Sequence, residues 1–125
     1  HYFRLLEPRT VHFDFRRHTC GPSSFASVQL ACDPSDQFRF VRGCTWPANV
    51  SGPEQESWDA AISCGVWDAL QPTAGDPHVA DGVAVTLVAT EHDPVGSSGM
   101  AFYSAAWHAI RQLREAGHWV LTART

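Results

Sequence analysis

Hydrophobic and polar residues alternate from Val11 to Arg16, with Val11, Phe13 and Phe15 set against His12, Asp14 and Arg16. That period of two is the signature of a half-buried strand. The next seven residues, HTCGPSS at 18–24, read as a loop from their Gly-Pro and Ser content. Alternation then resumes over Phe25–Cys32, where Ala26, Val28, Leu30 and Cys32 share one face. Asp33-Pro34-Ser35-Asp36 is turn chemistry, because Asp and Ser bond nearby backbone and Pro fixes φ. A short aromatic run, Phe38–Arg42, gives a third strand. Three successive strands with brief connections predict an antiparallel meander.

The period changes after a connection over Gly43–Gly52 that Pro47 and Asn49 interrupt. Ser51-Gly52-Pro53-Glu54 has capping-box spacing, with Pro in the first turn where its missing N–H is not needed. Trp58, Ala61, Ile62, Gly65, Val66, Ala69 and Leu70 follow as one apolar helical stripe, which Gln71-Pro72 ends. Beyond a loop at 73–81, Val83–Val88 is six apolar or β-branched residues, a mostly buried strand. A polar turn (89–96) leads to Phe102, Ala105, Ala106, Ala109, Ile110 and Leu113, again one face of a helix. Ser97 or Ser98 supplies its N-terminal cap and Gly117 its left-handed end. Trp119–Thr122 is a short last strand. The order βββαβα(β) predicts an α+β two-layer sandwich with both helices on one sheet face. Residues 1–10 read as a lead-in segment and 11–125 as one domain.

Composition fits that picture. The chain has 125 residues, 44% of them hydrophobic and 18% charged, which suits one globular core and not a disordered segment. No apolar run approaches the roughly 20 residues that cross a bilayer, so no membrane partner is expected. The net charge is −4, and all nine basic residues are arginine. Proteins that hold RNA chiefly by its phosphates carry a basic face, whereas the longest basic run here is Arg16-Arg17. Tight autonomous nucleic-acid binding is therefore not expected.

The ordered set of local runs resembles domain IV of elongation factor G, the GTPase that drives translocation on the ribosome, and the similar domain of the tetracycline-resistance ribosomal protection proteins. The clearest stretch is Val85-Thr86-Leu87-Val88, a polar loop, then Ser97-Ser98-Gly99-Met100-Ala101-Phe102 opening a helix. Also similar are Val11–Arg16, the loop Cys20-Gly21-Pro22-Ser23-Ser24, Val28 to Asp33-Pro34, Phe38-Arg39-Phe40, Trp46-Pro47, and Ala60 to Ala69 around Ala61-Ile62 and Gly65-Val66. The resemblance runs from about Val11 to Leu121. It implies the ribosomal S5 domain 2-like fold with a left-handed βαβ crossover, an exception to the usual right-handed rule. It further implies a non-catalytic, cytoplasmic module that contacts the ribosomal decoding region, rRNA or tRNA by shape, inside a larger translational GTPase-like protein.

Two tip loops would make that contact, and the candidate residues are Pro22, Ser23 and Ser24 in the first and Thr90, Glu91, His92 and Asp93 in the second. The chain departs from the family in both. Pro-Ser-Ser stands where the family has a glycine-rich loop with an arginine. Asp93 aligns with the family's tip histidine, one residue after His92, and Gly99 replaces the glutamate of Ser-Ser-Glu. Glu91 and Asp93 make the second tip acidic where phosphate is expected. An orphan protein-interaction module that keeps the fold without ribosome binding is the competing reading.

No cofactor is expected. A phosphate-binding Gly-x₄-Gly-Lys-[Ser/Thr] run is absent, and there is no lysine to serve one, so any GTPase activity belongs to other domains. Cys20, Cys32, Cys44 and Cys64 form no Cys-x-x-Cys pair and read as buried or half-buried free thiols in a reducing cytoplasm. A metal site from His12, His18 and Cys20 is the alternative. His92-Asp93 beside Ser97-Ser98 invites a nucleophile–base reading, but neighbours on a short loop seldom converge on one substrate and the serines already serve as caps. His108 is expected on the surface, and His12 on the open face of the sheet. Trp58 belongs to the core stripe. Trp67 and Trp107 fall off their stripes, so each packs between helices or marks a face for a protein partner or second copy.

Overall fold

The computed structural model describes residues 1–17, 24–93 and 97–124. The order of elements is β1 (Tyr2–Leu5), β2 (Arg9–Arg17), β3 (Ser24–Pro34), β4 (Arg39–Arg42), α1 (Gly52–Ala69), β5 (Val83–His92), α2 (Gly99–Glu115) and β6 (Trp119–Thr122). It is an α+β sandwich. A four-stranded sheet in the order β2-β3-β5-β4 carries both helices against one face.

The expected meander is corrected. β2 and β3 do pair antiparallel, but β5 takes the place beside β3, and β4 lies at the far edge, parallel to β5. The reason is burial. Val83, Val85 and Leu87 of β5 are fully buried, so this strand belongs in the middle of the sheet, whereas three of the four β4 residues are exposed. A four-residue strand with Arg39 and Arg42 at its ends suits an edge, where charge discourages further pairing. β4, α1 and β5 together form the βαβ crossover unit.

A second correction concerns the chain's ends. Residues read as a lead-in hold β1, and β6 pairs with β1 in a separate two-stranded sheet, Tyr2 opposite Thr122 and Leu5 opposite Trp119. Tyr2 and Leu5 are buried, which a four-residue strand is too short to reveal by period.

The core lies between the main sheet and the helices. Ala26, Val28, Leu30 and Cys32 of β3 meet Trp58, Ile62 and Val66 of α1 and Phe102, Ala106 and Ile110 of α2. Both helix starts are set by the predicted serines. The Ser51 hydroxyl accepts from the Glu54 N–H at 3.2 Å, and Ser98 accepts from Ala101 N–H at 3.2 Å. Gly117, at φ +80°, follows α2 in the left-handed conformation that favours glycine. The helices cross at Gly65, where an added Cβ would lie 2.5 Å from the Tyr103 carbonyl oxygen. Arg114 of α2 donates to the Leu70 and His78 carbonyls at 2.6 and 2.7 Å, satisfying the C-terminal end of α1.

Candidate functional site at the paired tip loops

Two chain connections leave the same end of the main sheet. Arg17 is opposite Ser24 at the β2–β3 turn, and His92, the last residue of β5, is opposite Ala26 two residues further along β3. The described residues that flank the loops the sequence places at 18–24 and 89–96 are therefore neighbours. Pro22 and Ser23 lie outside the described residues, as do His18 and Cys20. Ser24, Thr90, Glu91, His92 and Asp93 are described, and the last four fall on β5 and the residue after it.

Ser97 ties the two connections together. Its hydroxyl donates to the Phe25 carbonyl at 2.7 Å and accepts from the Asp93 N–H at 2.7 Å, while Ser97 N–H donates to the Asp93 carbonyl at 3.1 Å. Ser97 and Ser98 thus divide the work that the sequence assigned to either: Ser98 caps the helix and Ser97 clamps the loop.

A β-bulge decides which tip residues face which way. Leu30 is opposite Leu87, but Gln29 is opposite Ala89, so β5 carries one extra residue, Val88. Before it the odd-numbered residues 83, 85 and 87 face the helices. After it the even-numbered residues do: Thr90 is opposite the buried Val28, and His92 opposite the buried Ala26. The His92 ring consequently sits 5.7 Å from that of Trp58, over a cavity of about 80 Å³ bordered by Asn49, Val50 and Glu54. Glu91 points the other way, onto the face with no helix. Of the two adjacent residues at the expected contact histidine, His92 is turned inward.

That uncovered face carries a cluster the sequence pattern did not single out. Asp14, Ser27 and Glu91 form one row across β2, β3 and β5. His12, placed on this face as expected, brings Nε2 within 3.0 Å of Ser27 Oγ and 2.9 Å of Asp14 Oδ1. A hydrogen bond from Ser27 holds the Asp14 carboxyl below its usual value, aided by the charges of His12 and Arg16 against the opposing effect of burial. Ser, His and Asp meet here, but one imidazole nitrogen contacts both partners. In a nucleophilic triad the two nitrogens are divided between base and orienter, so this closed arrangement is not that relay. Beside it the Arg16 guanidinium carbon lies 4.5 Å from the centroid of the Phe25 ring.

Other side chains depart from their expected settings. His108 stacks on Phe13 with centroids 4.9 Å apart and is half-buried, since α2 lies across β2. Trp107 packs against the core, whereas Trp67 remains 40% exposed with its ring 5.1 Å from Phe38. Among the described cysteines, Cys32 is buried, Cys44 half-buried and Cys64 exposed, the last contrary to expectation. Burial pushes the Cys32 thiol up to about 12. No grouping of three or more metal-ligating side chains occurs among the described residues, nor is any of their helices long and apolar enough to cross a membrane.

No known protein-family profile matches the chain. A crystal structure of a protein from Thermus thermophilus is similar, with a TM-score of 0.80 over 95% of this chain at 19% identity. The match covers 17% of that longer chain. At this identity the likeness establishes the shared α+β fold.

Proposed function

We propose that this chain is a non-catalytic module similar to domain IV of elongation factor G, which contacts the ribosomal decoding region or tRNA through its paired tip loops. The observation that carries the reading is that the strand ends flanking both loops meet at one end of the sheet, clamped by Ser97. A wedge that acts by shape needs a rigid base beneath a projecting end, and the buried β3–β5 pair supplies it. The ordered resemblance from about Val11 to Leu121 adds support, as does the occurrence of the same fold within a much longer chain. In this reading GTP binding belongs to other domains.

Co-sedimentation with purified 30S and 70S ribosomes over a salt series tests it. Saturable binding that weakens with salt is expected, strengthened in a Glu91→Gln, Asp93→Asn variant that removes acidic groups from the tip. Absence of binding at low salt, with the protein folded by circular dichroism, would sink the reading.

The second reading, a protein-interaction module, is favoured by the exposed Trp67 beside Phe38 on the helical side. It requires a concentration-dependent rise in mass, or a purified partner, lost in Trp67→Ser.

A further inference from the structure

We propose that Arg16 and Phe25 form a stacking platform for an unpaired RNA base on the uncovered face of the sheet. The inference rests on the reading of this chain as an RNA-contacting module and moves the contact from the loop tips to the strands beneath them.

Both helices cover the opposite face, and the β2 residues that alternate outward, His12, Asp14 and Arg16, are exposed. Arg16 and Phe25 are cross-strand partners one step from the Arg17–Ser24 pair at the first tip loop. Arg16 is exposed and Phe25 half-buried. Holding the guanidinium over the ring orders a side chain that is otherwise costly to immobilise. One plane of the cation meets the ring, while its N–H donors remain available to a phosphate or a base edge. Exposed bases stack on aromatic rings and on guanidinium planes alike, and the contact is tolerant of sequence because every base has a π-face.

Charge selects the kind of RNA. Arg16 is the cation of this part of the face, Arg17 alternating to the other side, while Asp14 and Glu91 lie on the same face two residues away along the strands. Asp14 is engaged by His12 and Ser27, so its charge is partly met within the protein. One cation against two carboxylates leaves no track for phosphates, so the contact is a stack on one or two bases made through the guanidinium plane. A duplex hides its base planes, so the occupant is single-stranded RNA or an unpaired loop.

The test uses two probes with the whole chain: 70S ribosomes by co-sedimentation, and a fluorescein-labelled single-stranded RNA of roughly twelve nucleotides by anisotropy. The variants are Arg16→Gln, Arg16→Lys and Phe25→Leu, the last keeping an apolar group at a half-buried position. Loss of one stacked base is expected to weaken single-strand binding roughly tenfold, with Arg16→Lys as damaging as Arg16→Gln because charge without the plane does not restore the stack. Duplex RNA of equal length is expected to bind no better to the wild type than to the variants. If the oligonucleotide binds and all three variants stay within about twofold of wild type, the platform is wrong, whatever the ribosome result. If the oligonucleotide binds and the variants lose it while ribosomes never sediment the chain, the platform stands and the ribosomal reading falls. If neither probe binds at low salt, both fall. Arg16→Gln decides the matter should Phe25→Leu fail to fold, since Arg16 is exposed.

Discussion

Ser97 and Phe25 are 72 residues apart in the chain and joined by a 2.7 Å hydrogen bond from the serine hydroxyl to the phenylalanine carbonyl. The same hydroxyl accepts from Asp93 N–H. One side chain therefore closes the β5–α2 connection and fastens it to the first residues of β3. Ser97→Ala would leave a carbonyl and an N–H without this partner. The expected cost is about 1–3 kcal/mol, read as a lower urea midpoint with an unchanged m value. Ser98→Ala, which removes only the cap of α2, is expected to cost about 1 kcal/mol. Amide exchange separates them: Ser97→Ala speeds exchange at Asp93, and Ser98→Ala at Ala101.

The α1–α2 crossing depends on the missing side chain of Gly65. A methyl group there would meet backbone, the Tyr103 carbonyl oxygen, and not the movable end of a side chain. Gly65→Ala is expected to force the helices apart and to cost about 1–3 kcal/mol despite alanine's better helix propensity. Thermal unfolding checks this. A variant as stable as wild type would mean that the crossing is looser than its geometry indicates.

Acid should act on the uncovered face through Asp14. Its folded-state value is lowered from 3.8, first by the hydrogen bond to Ser27. A lowered carboxyl contributes stability that is present above the unfolded value and is lost as pH falls through the folded one. The contribution is therefore whole above the unfolded value of 3.8 and is lost progressively as the pH falls below it. Urea midpoints of wild type and Asp14→Asn should differ at pH 6 and converge as acid protonates the carboxyl in the folded protein. Parallel pH profiles would show that the Asp14–Ser27–His12 cluster adds nothing.

Thiol chemistry should rank the cysteines by burial. With its thiol pushed up to about 12, Cys32 holds almost no thiolate at neutral pH and lies behind the core. Among the described cysteines Cys64, exposed on α1, is expected to be alkylated first by iodoacetamide at pH 8, and Cys32 only in denaturant. Peptide mapping by mass spectrometry assigns the sites. Rapid labelling of Cys32 in the folded protein would contradict its place in the core.

Local signals suffice where a few neighbouring residues decide the outcome. Ser51 with Glu54, the stripe from Trp58 to Leu70, and Phe102 through Leu113 each define a helix from within their own segment. Strand order has no such code. That β5 separates β3 from β4 follows from the depth of Val85 and Leu87 in the sheet, a property of the assembled molecule. The extra residue Val88 is equally hidden, because Val, Ala and Thr in succession suit either face. It is the bulge that turns His92 toward Trp58 and leaves Glu91 outside. Of the tip residues named from the resemblance, Thr90 through Asp93 do lie beside the β2–β3 end of the sheet. The Ser97 clamp, the His12–Asp14–Ser27 cluster and the Arg16–Phe25 stack depend on pairing across strands. Their one trace in the sequence was the polar alternation of His12, Asp14 and Arg16.

The ribbon of β1 and β6 has a mechanical consequence. Tyr2 and Thr122 face each other at its open end, and the two strands run in opposite directions from there. A load applied at those two positions pulls across the strands, along the direction of their hydrogen bonds. The bonds then break one pair after another and do not share the force. β1 is also bonded to the segment that enters β5, Phe3 N–H to the Val79 carbonyl and Gly82 N–H to the Phe3 carbonyl, so load on Tyr2 reaches the start of β5 as the ribbon opens. Such a load enters β5 at Val83, the end opposite the Ser97 clamp, so the length of the strand lies between the ribbon and the clamped tip.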